Sequence, residues 1–251
     1  IGNGYWQDVD TKPCLKHAEK VLMNACRKPT DGIISRNFNR HVSIFISSFL
    51  IKTPITANQV TALVLLLGLF TGYMASLGGY VNFLVAGILF KLTSILDGVD
   101  GELAKLRFTA SKFGQWFDTI GDNLTYIAFV VGTAVGLYRV GYEYVDYIAP
   151  SAIVGIVMLL ICMFYYIIKF TDSGSLLAVQ DDFTGQKDQA WWSGLIVKLH
   201  FLIKRDFFSV IFLAFAIAGK PQWILAVVAF ATNIAWIFLF SKILRKQLQR
   251  A

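Results

Sequence analysis

Five or six times along this chain an apolar stretch of roughly 20 residues appears, the length a helix needs to cross about 30 Å of hydrocarbon. The stretches fall near 57–78, 81–105, 113–139, 146–170, 204–219 and 221–243. The fifth is the weakest, because its uninterrupted apolar run Phe207–Ala218 must recruit Lys204–Asp206 at its end, so five and six spans both stay open. With 56% hydrophobic residues and 21 Phe among 251 residues, the chain is more apolar than a soluble domain, which sits near 45–50%. The expected fold class is all-α and integral to the membrane: six transmembrane helices preceded by an amphipathic interfacial helix.

That interfacial helix is expected within 31–52, where Ile34, Phe38, Val42, Phe45 or Ile46 and Phe49 form one apolar stripe. Ser35, Arg36, Asn39, Arg40, Ser43 and Ser47 lie away from the stripe, a pattern suited to the membrane surface. Residues 1–30 are polar and mixed, with helical spacing of Ala18, Val21, Leu22 and Ala25 inside Lys16–Cys26. The chain thus divides into 1–30, 31–52 and a membrane unit, 53–251. Ile1 opens without a basic, signal-like start and reads as a cut inside a longer polypeptide.

Charge orients the spans. With six spans, one side holds eight Lys/Arg in the N-terminal arm, three in the 2–3 turn, five in the 4–5 loop with Lys169 and four in the tail. The opposite side holds only Arg139 and Lys220, and Lys91 lies inside a span. By the positive-inside rule both termini are expected in the cytoplasm of an inner-membrane protein. The net charge of +7 is therefore topology, and the absence of a basic stripe with interleaved aromatics argues against nucleic acid as a partner. In the 4–5 loop, Thr171–Leu199, Trp191–Trp192 are expected to anchor at the interface. Cys14, Cys26 and Cys162 are odd in number and lack CxxC spacing, so they read as packing thiols.

The chemistry lies in four aspartates. Asp97 and Asp100 share a face at the end of the second span, with Gly101 and Ala104 beside them. Gly114, Asp118 and Asp122 recur every four residues at the start of the third. Small residues beside the acids leave room for a bulky ligand. Four carboxylates converging at membrane depth would repel and protonate without cations, and hard Mg²⁺ or Mn²⁺ prefers such oxygens. Two ions bridged by a polyphosphate would support displacement at phosphorus. A cation or proton transporter also places acids in membranes, but these sit together near one face instead of being strung across it.

Written out, Asp97-x₂-Asp100-Gly101-x₂-Ala104-Lys105-x₈-Gly114-x₃-Asp118-x₃-Asp122 resembles the signature of the CDP-alcohol phosphotransferase family. Seven of eight defined positions match across 26 residues, with Lys105 standing where the pattern has Arg. Lysine keeps the charge but loses the bidentate fork, so either donor binding differs or Arg107 serves instead. The resemblance implies six transmembrane helices, a homodimer, and two divalent ions held by Asp97, Asp100, Asp118 and Asp122 against a CDP-alcohol. Asp97, Gly101, Ala104, Lys105 and Gly114 would lie against the cytidine diphosphate. Asp122 would also take the proton of an attacking acceptor hydroxyl as CMP leaves. Thr53-Pro54-Ile55-Thr56-Ala57-Asn58-Gln59-Val60-Thr61 looks like the family's entry to the first span; Asn58 would meet the donor or, like Thr56, cap the helix.

A narrower resemblance lies upstream. Tyr5-Trp6-Gln7-Asp8-Val9-Asp10-Thr11-x₃-Leu15-x₂-Ala18-Glu19 looks like the tail of a sugar- or inositol-phosphate nucleotidyltransferase. Lys28-Pro29-Thr30-Asp31-Gly32-x₂-Ser35-Arg36-x₂-Asn39-Arg40 is similar to the linker of bifunctional inositol-phosphate cytidylyltransferase/di-myo-inositol-phosphate-phosphate synthases. That implies an upstream cytidylyltransferase, a CDP-inositol donor and inositol 1-phosphate or another alcohol as acceptor, with a CDP-diacylglycerol phospholipid synthase as the alternative. Arg36 and Arg40 would grip the acceptor's phosphate or snorkel to lipid phosphates, and Lys91 would line the acceptor pocket or pair with a neighbouring helix. Gly132-x₃-Gly136 and Ser151-x₃-Gly155 permit close helix contact, as a dimer seam or within one bundle.

Overall fold

The computed structural model describes residues 8–27, 31–32, 34–170 and 205–248, and all regular structure among them is helical. The expected interfacial anchor Trp191–Trp192, the start of the fifth span at Lys204, and the Tyr5–Gln7 and Lys28–Thr30 parts of the upstream motifs lie outside these residues. Helix α1, Lys12–Ala25, begins before the expected Lys16, because Thr11 caps it by accepting from the Cys14 N–H and Pro13 occupies its first turn. A π-helical turn, Ser35–Asn39, leads into α2, Arg40–Leu50. Five long apolar helices follow: α3 Ala57–Ser76, α4 Tyr80–Leu106, α5 Lys112–Arg139, α6 Val145–Phe170 and, after the shorter α7, α8 Gln222–Leu248. Helix α7, Arg205–Ile217, has 13 described residues, only about 20 Å of helix at 1.5 Å each. It is the span the sequence marked as weakest. The protein is an all-α, multi-pass membrane protein.

The π-helical turn and α2 carry the apolar stripe outward, with Phe38, Phe45 and Phe49 at 55%, 64% and 59% exposure. The polar side departs from the surface-helix expectation. Asn39, Arg40, Ser43 and Ser47 are buried against the protein instead of facing water. The cause is an acid on α4, Glu102, described below.

Helix α3 is the spine of the bundle and packs along both α4 and α5, which scarcely touch each other. The α3–α5 seam is built of small residues. A Cβ on Gly132 would collide with the Gly72 carbonyl, and one on Gly136 with the carbonyl of Ala75. Ser151 and Gly155 likewise face α8, where Asn233 donates to the Ser151 carbonyl at 3.0 Å. Both small-residue motifs therefore pack within one bundle, where close backbone approach replaces the missing hydrophobic drive. Helices α4 and α5 meet through Phe90 and Phe129, stacked at 4.3 Å, with Phe212 of α7 closing the cluster at 5.6 and 5.5 Å. Each of the first two rings lies seven residues, about two turns, from an aspartate, Asp97 and Asp122 respectively. The helices are joined at the rings and leave a gap at the acids.

Candidate metal and nucleotide site

The gap is framed by the last third of α4 and the first third of α5. Ser111 caps α5 by accepting from the Gly114 N–H at 3.0 Å, which ends the turn after α4 and sets the start of the Gly114-Asp118-Asp122 stripe. Asp97, Asp118 and Asp122 each offer a carboxylate oxygen, all within 4.8 Å of one another, and all three side chains are half-buried. Around Mg²⁺ ligand oxygens lie at most about 4.2 Å apart, twice the metal–oxygen distance. Three oxygens within 4.8 Å of one another are on the scale of such a shell, and the all-oxygen donor set suits a hard divalent ion.

Asp100 stands beside this triad and is not a member of it. It is buried, its Oδ2 accepts from Thr61 Oγ1 of α3 at 2.5 Å, and its Oδ1 accepts from the Gly101 N–H at 2.5 Å. Three of the four expected ligands thus converge, and the fourth is oriented by a neighbouring helix. Gly101 faces open space: a Cβ there would meet nothing within 4 Å. Ala104, half-buried, follows one turn on. On the far side Gly114 meets Asn58, whose Oδ1 would stand 3.3 Å from a Cβ at that position. Asn58 is not the helix cap; Thr56 is, in a reciprocal capping box with Gln59 at 2.9 and 3.3 Å.

The expected cations are mostly committed elsewhere. Lys105 Nζ donates to the Ala25 carbonyl at the end of α1. Arg107 donates to four carbonyls, those of Leu50, Ile51, Thr53 and Ile55. It closes the α2–α3 connection. Lys91 donates to Asn39 Oδ1 at 2.8 Å and Ser209 Oγ at 3.5 Å, so it pairs with the α2 entry and α7. Arg36 is exposed on the π-helical turn. Arg40 is buried, bidentate to Asp31 at 2.8 and 2.9 Å and bonded to Glu102 at 2.8 Å. Burial works to lower the Arg40 pKa, but the hydrogen bonds and charges of Asp31 and Glu102 hold it above the ordinary guanidinium value. Arg40 thus sits between two carboxylates.

Glu102 and Asp206 were given no role from the sequence, and Thr61 only a place in the motif that enters the first span. Glu102 is 2% exposed and accepts from Arg40, from Ser43 Oγ at 2.6 Å and from Ser47 Oγ at 2.7 Å. Asp206 of α7 is buried, and its Oδ2 accepts from the Ser35 N–H at 2.8 Å, closing the entry to α2. The signal for Glu102 was the polar stripe Arg40-x₂-Ser43-x₃-Ser47, which demands an acid partner once that face is buried.

A multi-pass helical membrane protein with an acidic cluster in a gap between two membrane helices is the class that this fold and site define. Residues 54–235 match the CDP-alcohol phosphatidyltransferase family, and the chain belongs to that family, whose members are transferases that generally depend on divalent metal. It is 39% identical over 138 residues to the "Bifunctional IPC transferase and DIPP synthase" of Aquifex aeolicus, covering 55% of this chain and 31% of that protein. The protein of the same name from Thermococcus kodakarensis is 37% identical over 154 residues, 61% of this chain and 34% of that protein. The "Archaetidylinositol phosphate synthase" of Pyrococcus horikoshii is 34% identical over 91 residues, 36% of this chain and 47% of that protein. The chain spans about a third of the length of the bifunctional relatives it matches.

Proposed function

We propose that the chain transfers a phospho-alcohol group from a CDP-alcohol to an acceptor hydroxyl, releasing CMP and forming a phosphodiester. The observation that carries this is the convergence of the Asp97, Asp118 and Asp122 carboxylates within 4.8 Å, next to the open surface at Gly101. Asp97, Asp118 and Asp122, joined by Asp100, would hold Mg²⁺ or Mn²⁺, two ions for four carboxylates; when bound they would neutralise the donor's pyrophosphate and align it for in-line displacement. Gly101, Ala104 and Gly114 leave room for the cytidine diphosphate, with Asn58 at its border and Lys105 within the same signature. Asp122 accepts the proton of the acceptor hydroxyl as its oxygen bonds to the phosphorus carrying the alcohol. The bond from that phosphorus to the CMP oxygen breaks, and CMP departs.

For the substrates, the relatives from Aquifex and Thermococcus support CDP-inositol as donor and inositol 1-phosphate as acceptor. Residues 1–30 are then the end of an upstream cytidylyltransferase, 31–52 the surface-lying link and 53–251 the transferase. A lipid product is the second reading, favoured by the likeness to an archaetidylinositol phosphate synthase. The charge asymmetry supports a cytoplasmic site in the inner membrane with both termini cytoplasmic, and the family resemblance supports a homodimer. Purified protein with Mg²⁺ or Mn²⁺ is to be offered inositol 1-phosphate together with either CDP-inositol or CDP-diacylglycerol. CMP release from the first pair alone supports the soluble product, release from the second alone supports the lipid, and ion flux in proteoliposomes without nucleotide turnover would sink both.

A further inference from the structure

The acid that organises α2 lies on the same helix as two of the site aspartates. Glu102 is five residues from Asp97, about 140° around α4, so it faces α2 while Asp97 faces the gap. Both of its carboxylate oxygens are engaged: Oε1 by Arg40 and Ser43, Oε2 by Ser47. Gly98, one turn before Glu102, is what lets α2 come so near; a Cβ there would stand 3.2 Å from Arg40 Nη1 and from Ser43 Oγ. Arg40 carries the grip on to Asp31, ahead of the π-helical turn. On another flank, Thr61 of α3 holds Asp100.

We infer that Glu102 is a positioning residue for the metal centre, clamping α4 to α2 so that the rotation of α4 about its own axis is fixed and Asp97 is held in register with Asp118 and Asp122. The inference rests on the metal-site reading above. The geometry says why such a clamp is needed. A side-chain tip lies about 5–6 Å from its helix axis, so a rotation of about 20° moves it roughly 2 Å. That is as large as a metal–oxygen bond, about 2.0–2.1 Å for Mg²⁺, so such a turn would carry Asp97 out of the shell. Since α4 and α5 scarcely touch apart from the Phe90–Phe129 stack, little in their own packing holds that register. The grip comes from the helices packed along α4, which are α2, α3 and α7, and the α2 part of it is polar and buried, hence directional.

The test is Mn²⁺ binding to the purified full chain in detergent, followed by the electron paramagnetic resonance of free and bound ion, with Glu102→Gln, Ser47→Ala and wild type compared well below their melting temperatures. Glu102→Gln keeps the size and one acceptor oxygen but drops the charge that Arg40 requires; Ser47→Ala removes one hydrogen bond and is the milder change. Losing a direct hydrogen-bond partner of a metal ligand costs about 10–100-fold in affinity. Glu102 acts one step further out, so Glu102→Gln should weaken Mn²⁺ binding by several-fold, Ser47→Ala by less in the same direction, with the number of ions bound at saturation unchanged. Unchanged Mn²⁺ affinity in both folded variants overturns the positioning role and leaves the metal site standing. Failure of the wild type to bind Mn²⁺ overturns the metal reading, and the positioning role with it.

Discussion

Arg107→Lys separates a structural arginine from a phosphate-binding one. Arg107 donates through Nη1 to the Ile55 carbonyl at 2.5 Å and through Nη2 to the carbonyls of Thr53, Leu50 and Ile51 at 2.5, 2.8 and 3.2 Å. These carbonyls include the last of α2, which have no partner further along that helix. The Leu50 carbonyl also accepts from the Thr53 hydroxyl at 2.7 Å and the Thr53 N–H at 3.0 Å, so it loses little. The bond to Ile51 is long. Two short charge-assisted bonds remain, each worth about 1.5–3 kcal/mol and not fully additive, so the loss should be about 3 kcal/mol. For a chain of this size that is a fall of roughly 6–12 °C in melting temperature. Lysine should recover little, because one ammonium cannot span carbonyls arranged for a planar fork. The measurement is thermal unfolding in detergent beside the donor KM. A variant that melts with the wild type while its donor KM rises would refute the structural assignment and return Arg107 to the phosphate.

Other changes have equally definite outcomes. Asp97→Asn, Asp118→Asn and Asp122→Asn should each abolish most CMP release, as should EDTA, with added Mn²⁺ restoring only the wild type; an Asp122→Asn protein at full turnover would remove the assigned base. Gly101→Leu fills the open surface and should raise the donor KM without lowering the melting temperature, which a scan of donor concentration would read. Gly132→Leu drives a side chain into the Gly72 carbonyl and should destabilise the bundle by about 1–3 kcal/mol or more; a dimer-seam role would instead change the mass on a sizing column at constant melting temperature. Thr125→Val should be neutral or stabilising by up to about 1 kcal/mol in thermal unfolding, because Thr125 Oγ1 is buried without a hydrogen-bond partner among the described residues.

Hydropathy made the long helices legible because α3, α4, α5, α6 and α8 are apolar over the full width of a bilayer. The ambiguity at α7 was equally physical, since its uninterrupted apolar run, Phe207–Ala218, is short and preceded by charged residues. Among the aspartates, spacing along two helices foretold the meeting of Asp97, Asp118 and Asp122, a consequence of helical period and one short turn. It did not foretell that Asp100 is held by Thr61, because pairing between α3 and α4 depends on how two helices rotate against each other. Helix α2 shows the same divide. Its stripe was readable, but an amphipathic helix whose polar side faces a buried acid has the same period as one whose polar side faces water. Only the partner distinguishes them.

Lys105 is the place where sequence and structure bear on each other most closely. The signature has arginine there, and the nearest candidate to replace it, Arg107, is spent on the carbonyls that end α2 and lead to α3. What Lys105 does touch is the Ala25 carbonyl at the C-terminal end of α1, where helix carbonyls lack partners and the helix dipole favours a cation. A compact ammonium on a flexible stem suits a single carbonyl at a helix end, whereas the guanidinium fork suits a phosphate. If this position serves the donor, Lys105→Arg should tighten the donor KM while loosening α1. If it serves α1 alone, Lys105→Arg should leave the donor KM unchanged and Lys105→Ala should raise proteolysis of the arm without affecting CMP release. Limited proteolysis and a donor titration on the same two variants therefore decide whether the departure from the signature is a change in nucleotide binding or a fastening for the N-terminal arm.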